Sequence, residues 1–387
     1  MPSSPTRVLV AGGGVAGLET LLALQALAGA RVEIELLTPE RHFTYRPLAV
    51  AEPFRPGSVQ RLPLSAVAAD RGVVLHRDGL ARLVPGERSV ETQGGARLEY
   101  DVLVLALGAR PVEAIAGALT FRGPQDTDRV TKIVRRVRDG TIRRVAFVVP
   151  PGTAWALPAY ELALQTAAAV RADAPDADLI LVTAEPAPLA AFGNESGSVV
   201  GAMLAARGVE LRTGTVAEEV ADGRLWLGLG SLEVDAVVAL PRLVGPRLGG
   251  APSDPLGFVP VDAFTRVRGL DGVHAVGDIA AHALKQGGLA AQQADVAAAV
   301  IAAGTGADVR PRPYRPLLRG LLLTGGEPLH LRHDPTGASD AHDELLWWPS
   351  GKIAGRHLSP YLAQHLELAA PPRPALAIAT AVEPAAR

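Results

Sequence analysis

Cysteine is missing altogether from the 387 residues. No disulfide, Cys-ligated zinc, iron–sulfur cluster or thiol-based redox step is open to this chain. An excess of one charge is missing too. The 38 basic side chains are set against 40 acidic ones for a net charge of −2, which excludes a strongly basic nucleic-acid binder. Long apolar runs are also lacking. The stretch Leu317–Leu323 is broken by Arg319 and Gly320, far short of the roughly 20 residues that span a bilayer. No transmembrane segment is expected. Met1–Thr6 carries no basic segment followed by an apolar one before the strand-like Arg7–Val10, so a cytoplasmic location is expected. Lysine is scarce, with only Lys132, Lys285 and Lys352. Together with heavy Ala, Gly and Pro usage, this reads as a coding bias rather than a binding feature.

What is present can build a sizeable core. Hydrophobic residues make up 48% of the chain, and its length points to about two or three domains. The first forty residues read as strand Arg7–Ala11, a glycine turn, helix Leu18–Ala28 and strand Val32–Leu37, which is a βαβ unit. Later apolar strands are expected within Arg97–Leu107, Arg143–Val149 and Leu179–Thr183, with another at Val234–Leu240. A Pro/Gly-rich stretch, Pro241–Pro260, precedes the short strand Gly272–Gly277, and a long Ala-rich helix follows over about Gly287–Ala303. Beyond it come a hairpin-like Leu318–Leu331, the pair Trp347-Trp348 and a Pro-rich tail from Pro371 that is expected to be mobile.

The pattern Gly12-x-Gly14-x-x-Gly17 lies between strand and helix, enclosing Val15 and Ala16. There the first glycine permits a tight turn, the second admits a pyrophosphate to the backbone, and the third packs helix on strand. Helix N-terminal amides would then face the phosphates. The second strand ends at Thr38 rather than at the usual acid, which leaves Glu40 as the candidate for the adenosine ribose. Glu33 and Glu35 share one strand face and read as solvated or paired.

With two further motifs the chain resembles the FAD-dependent oxidoreductases that carry two dinucleotide-binding domains. Within them it resembles the branch of sulfide:quinone oxidoreductases, flavocytochrome c sulfide dehydrogenase flavin subunits and type II NADH dehydrogenases. Tyr100-Asp-Val-Leu-Val-Leu-Ala-Leu-Gly108-Ala109 looks like the strand that closes the FAD domain, and Val273-His-Ala-Val-Gly277-Asp278 like the strand on its return. The resemblance implies FAD, with Asp278 at its ribityl and pyrophosphate region, Leu80 near the adenine through its main chain, and Tyr45-Arg46-Pro47 near the flavin ring. Gly288, Leu289 and Ala290 open the long helix, whose positive end would stabilise the electron-rich edge of a reduced flavin. Lys285, three residues upstream, would add a full positive charge. Asp278 has an alternative role in capping a helix, and Lys285 as a surface lysine.

The second domain decides the reductant. A type II NADH dehydrogenase would repeat a glycine-rich turn there, but this chain reads Val149-Pro150-Pro151-Gly152-Thr153-Ala154-Trp155-Ala156-Leu157-Pro158. Two prolines cannot donate amides to phosphate, so a normally posed NAD(P)H is obstructed. Glu161 follows on a helix that either points its carboxylate toward the flavin or simply places an acid at the favourable helix end. The sulfide branch fails in the opposite way, because its enzymes work through cysteines. The quinone motif of the type II enzymes is matched only in part by Gly287-Gly288-Leu-Ala-Ala-Gln292-Gln293, since Gly288 stands where its first glutamine would be. Arg356–Leu368 gives about two amphipathic turns, little support for peripheral membrane contact. Trp347 and Trp348 suit either an aromatic wall beside the flavin or a core anchor. His330, His333 and His342 match no zinc spacing, so no metal is expected.

The expected fold class is α/β, with two nested Rossmann-like doubly wound domains and a short C-terminal segment. Residues 1–112 and 250–305 would bind FAD, 113–249 would form a degenerate second domain, and 306–387 would cover the flavin or an interface. The expected activity is electron transfer through FAD from a small-molecule donor or a partner protein to a quinone or similar acceptor. Glu161 and Lys285 are its candidate catalytic residues. The alternatives are an NAD(P)H dehydrogenase with a modified nicotinamide site and an FAD-binding redox sensor or assembly partner. The family is often dimeric, so a homodimer is the corresponding expectation.

Overall fold

A computed structural model of the chain describes residues 4–334, 339–342, 351–366 and 382–384. Trp347, Trp348 and most of the tail from Pro371 lie outside the described residues. Two five-stranded sheets dominate, and every strand pair in them is parallel. In the first sheet the spatial order is Val273–Ala275, Val102–Leu105, Thr6–Ala11, Val32–Leu37, Val74–His76. In the second it is Leu119–Thr120, Ala236–Ala239, Arg144–Val149, Asp178–Thr183, Val209–Arg212. Parallel sheets covered on both faces call for nearly continuous apolar strands, and Val8–Ala11, Leu103–Leu105 and Val145–Val149 are buried throughout. The chain is an α/β protein of two Rossmann-like units.

Parallel neighbours need crossovers, and the helices Val15–Ala28 and Leu157–Val170 supply them directly after the first strand of each βαβ unit. The first sheet is discontinuous in sequence, because its strand Val273–Ala275 arrives only after the second sheet is complete. The chain leaves and returns through Arg110–Val112 and Arg242–Val244, which pair antiparallel.

The long helix Gly287–Gly304 packs along Val15–Ala28. Its Ala-rich face admits that close approach. Its glutamines hold backbone: Gln292 donates to the carbonyl of Leu317 at 2.8 Å and accepts its amide at 2.9 Å, while Gln293 accepts the Gly277 amide at 2.8 Å. The residues that partly match a quinone motif are thus committed to docking the segments around them.

Leu318–Leu322, Leu329–His333 and Ser339–His342 form an antiparallel sheet. It lies so close to the second core that a Cβ at Gly320 would sit 2.7 Å from the Phe192 ring. The helix Leu358–His365 then returns to the first core through Leu358, Tyr361 and Leu362. Val382–Pro384 pairs with Val309–Pro311. No helix among the described residues is long and apolar enough to cross a membrane.

Candidate functional site

The glycine turn has the geometry its three glycines require. Gly12 adopts φ +120°, and a Cβ there would lie 2.2 Å from the Ala106 carbonyl oxygen. A Cβ at Gly17 would lie 1.8 Å from the Gly12 oxygen, so neither position tolerates a side chain. Gly14 differs: a Cβ there would meet no heavy atom within 4 Å. The middle glycine therefore leaves free space in front of a helix end. That helix has no capping side chain and no acid in its first turn. Among the described residues, the amides of Val15, Ala16 and Gly17 find no acceptor. Unspent donors at a positive helix end suit a pyrophosphate, and these residues fit FAD on that ground.

Three segments distant in sequence converge beside the turn. Gly277 adopts φ +75°, and a Cβ there would lie 2.9 Å from Ala16 Cβ and 3.5 Å from Ala290 Cβ. This contact joins the glycine turn, the returning strand and the start of the long helix. Gly108 and Ala109 leave the neighbouring strand just past Ala106, against which Gly12 rests. Leu80 is buried in one apolar cluster with Ala11 and Leu37, at the ends of the first two strands. Glu40 is exposed just beyond the second strand, where its amide donates to Thr38 Oγ1 at 3.3 Å. Glu35 is paired within the strand region, to His76 at 2.5 Å.

The long helix is capped by Gln286. Its side chain accepts the Leu289 amide at 2.8 Å and its carbonyl accepts the Ala290 amide at 2.9 Å. Of the three residues read as opening this helix, Leu289 and Ala290 have therefore spent their donors. Gly288 keeps its amide unengaged among the described residues. The cap could not be read from Gly-Gly-Leu-Ala alone, because glutamine is an uncommon N-cap.

A cleft of about 270 Å³ opens between the two sheets, lined among others by Arg46, Trp155, Asp278, Lys285, Gly287 and Lys352. Burial pushes the Asp278 carboxyl up, and the charges of Lys285 and Arg46 oppose that rise. Lys285 is buried at the cleft wall, where its ammonium donates to the Ala280 carbonyl and lies 3.9 Å from the centre of the Phe258 ring. Burial lowers its pKa to about 8 against the pull of Asp278 and Asp254. Its backbone amide donates to Ala154 in the second turn at 3.2 Å, so this one residue ties both halves together.

Glu161 is fully buried. Its carboxylate accepts both the Lys352 ammonium and the Leu323 amide, the latter at 2.8 Å. Burial drives the Glu161 pKa up and the Lys352 pKa down, and each partner's charge resists the other's shift. It is Lys352, rather than Glu161, that reaches the cleft. Tyr45 supports it from the other half, since its buried hydroxyl accepts the Ile353 amide at 3.0 Å. Lys352 carried one sequence signal, its rarity as one of three lysines. Nothing local pointed to a partner 191 positions away.

At the corresponding end of the second sheet the chemistry changes. Trp155 packs on Phe192 with ring centres 5.6 Å apart. Glu185 stands just past the strand Asp178–Thr183, yet its carboxylate already accepts the Tyr160 hydroxyl at 2.9 Å, the Thr183 hydroxyl at 3.0 Å and the Ala190 amide at 3.1 Å. Burial raises its pKa.

The sequence profile described as pyridine nucleotide-disulphide oxidoreductase matches residues 6–299. The chain belongs to that family, a class of FAD-dependent oxidoreductases, and it is an FAD-dependent oxidoreductase itself. Among curated proteins, an NADH dehydrogenase-like protein of Mycobacterium tuberculosis is 30% identical over 299 residues, covering 71% of this chain and 73% of the relative. Among solved structures, the sulfide:quinone oxidoreductase of Aquifex aeolicus is similar with a TM-score of 0.76 at 18% identity, covering 87% of each chain. A ferredoxin reductase from Rhodopseudomonas palustris follows with a TM-score of 0.65 at 21% identity, covering 85% of this chain and 82% of that one.

Proposed function

We propose that this oxidoreductase takes electron pairs from a small reductant or a partner protein, and not from a conventionally seated NAD(P)H, and passes them to a quinone or similar acceptor. In this reading the first turn holds the FAD pyrophosphate with the amides of Val15, Ala16 and Gly17 in the space at Gly14. Glu40 takes the adenosine ribose and Leu80 the adenine. Gly108, Ala109, Gly277 and Asp278 border the ribityl chain, while Arg46 and Gly288 lie along the ring. The chemistry supplied by bound FAD is reversible storage of a hydride or electron pair. Lys285 adds positive charge at the cleft wall, and Glu161 acts through Lys352, fixing its ammonium at the cleft surface.

The observation that carries the choice of donor is the state of Glu185. An acid in this place would accept the hydroxyls of an adenosine ribose, but here its oxygens are occupied by Tyr160, Thr183 and Ala190. The preceding turn adds two prolines without amide donors. A second reading, an NAD(P)H dehydrogenase with a modified nicotinamide pose, is favoured by the name of the mycobacterial relative. Anaerobic titration of the oxidised flavin with NADH and NADPH, with dithionite as control, separates the two. Slow or absent bleaching by both nucleotides, with dithionite still effective, is the expected result. Rapid stoichiometric bleaching would give the lead to the second reading. Failure of every tested donor to sustain turnover would favour the sensor or assembly role.

A further inference from the structure

Lys352 reaches the cleft on a segment whose anchor lies elsewhere, in the first half of the molecule. Of residues 351–366, Ile353, Leu358, Tyr361 and Leu362 join the first core. Tyr45 holds the segment at the Ile353 amide, and Glu19 accepts the amides of His357 and Leu358 at 2.8 and 2.7 Å. Between these anchors the segment is closed on itself. The Ser359 hydroxyl donates to the Ile353 carbonyl at 2.7 Å and accepts the Gly355 amide at 2.8 Å. A displacement at Glu19 is therefore carried back toward Lys352.

Glu19 sits on the helix Val15–Ala28 and is fully buried. The segment presses on it so closely that a Cβ at Gly355 would lie 2.6 Å from a Glu19 carboxylate oxygen. Asp295 faces it from the helix Gly287–Gly304, with 1% of its surface exposed. Neither Asp295 oxygen has a hydrogen-bond partner among the described residues. Two carboxyls in one dry place cannot both carry charge cheaply, and one proton between them is the stable arrangement. Burial, then the Glu19 charge, accordingly raises the Asp295 pKa well above its ordinary value. The segment adds Arg356 and the His357 ring, 3.9 Å from Asp295 and kept neutral by a pKa lowered to about 4. Within one turn of either carboxyl the two helices bring no other charged residue.

We infer that Glu19 and Asp295 are positioning residues for the cleft: the proton they share keeps residues 351–366 seated with Lys352 at the cleft wall, and its loss loosens them. Two buried negative charges are relieved by admitting water. The helices Val15–Ala28 and Gly287–Gly304 are packed along each other under the first sheet, so the segment is the element that yields. This rests on the proposed function only in taking the flavin to lie in the cleft.

Trypsin reads the segment directly. Lys352-Ile353 and Arg356-His357 lie within it, and the next basic residue, Arg373, is followed by a proline. The FAD-loaded full chain and its Asp295→Asn variant are digested in parallel between about pH 6.5 and 8.5, so that the variant cancels the protease's own pH dependence. Cleavage at these two bonds, relative to the variant and with the rest of the chain intact, should rise with pH by up to about tenfold per unit, the limit for one linked proton. Glu19→Gln, which also removes one of the two charges, should stay as resistant as Asp295→Asn. Quenching of flavin fluorescence by acrylamide should rise over the same range in the wild type alone. A cleavage ratio independent of pH, or variants cut as fast as the wild type, would overturn the inference. Cleavage that follows pH while quenching does not would leave the inference standing and sink the placement of the flavin in the cleft.

Discussion

The two sheets end in turns that occupy the same topological place and do opposite things. After the first strand of one, Gly12–Gly17 leaves open space at Gly14 and three unspent amides. In the other, Pro150–Leu157 brings two prolines and a tryptophan wall, and Glu185, past the next strand, is already engaged by its neighbours. The shared fold therefore specifies a position for a ligand, and the side chains at that position specify which ligand is accepted. The lesson extends to the glycines themselves. Gly12 and Gly17 are required by contacts inside the protein, whereas Gly14 is required only by what must lie in front of it.

That distinction gives the largest predicted contrast. Gly14→Val should leave the fold intact yet yield colourless protein, because the new side chain occupies ligand space. Gly17→Ala should instead destabilise the protein by about 3 kcal/mol through overpacking against the Gly12 carbonyl, seen as a lower denaturation midpoint. Asp278→Ala should weaken flavin retention less than Gly14→Val does. Full flavin occupancy in both Gly14→Val and Asp278→Ala would refute the assignment of the FAD site.

The buried pair linking the halves comes next. Lys352→Met strands the Glu161 carboxyl without its cation and should cost about 3–5 kcal/mol. The double variant with Glu161→Gln should recover part of that loss in urea unfolding, since the uncompensated charge is then gone. A double variant no more stable than Lys352→Met would show that the pair's electrostatics are not what matters.

A smaller effect is expected of pH at the first half alone. There Glu19 accepts the amides of His357 and Leu358 at 2.8 and 2.7 Å, and the buried carboxyl of Asp295, neither of whose oxygens has a hydrogen-bond partner among the described residues, lies close enough to that of Glu19 for the two to share a proton. Arg356 adds a positive charge, and the His357 ring, 3.9 Å from Asp295, is kept largely neutral because burial lowers its pKa to about 4. Burial, followed by the Glu19 charge, raises the Asp295 pKa well above its ordinary 3.8. The folded state therefore holds a proton that the unfolded chain releases, and this contribution is lost as pH climbs from 3.8 toward the raised value. The difference in melting temperature between wild type and Asp295→Asn should thus grow in favour of the variant as pH rises. A pH-independent difference would refute the shared proton. The smallest effect is expected of Pro150→Gly with Pro151→Gly, which restores amides to the second turn. NADH should still bleach the flavin only slowly, because Glu185 and Trp155 remain as they were.

Much of the fold was legible because its signals are local. Strand Thr6–Ala11, helix Val15–Ala28 and helix Gly287–Gly304 each announce themselves within their own residues. The first turn was legible for the same reason. The cap by Gln286, the Lys352 partner of Glu161 and the Phe192 partner of Trp155 were not. The Lys352 pair needs the C-terminal residues folded back over the second sheet, the Phe192 contact needs two turns of that sheet brought together, and Gln286 is held in its capping pose by the Arg319 carbonyl, to which its side-chain amide donates at 3.0 Å.

By itself the sequence determined that no thiol chemistry is possible here, that a glycine turn of the dinucleotide-binding pattern follows the first strand, and that two residues of the second turn, Pro150 and Pro151, have no amide to donate. Those conclusions rest on what a residue type can or cannot donate, which needs no neighbours. Only the tertiary structure decided that Lys352 reaches the cleft while Glu161 stands behind it, that Glu185 is already occupied, and that Trp155 packs on Phe192 at the cleft wall. Burial and hydrogen-bond partnership belong to pairs of groups distant along the chain, and folding alone brings those pairs together.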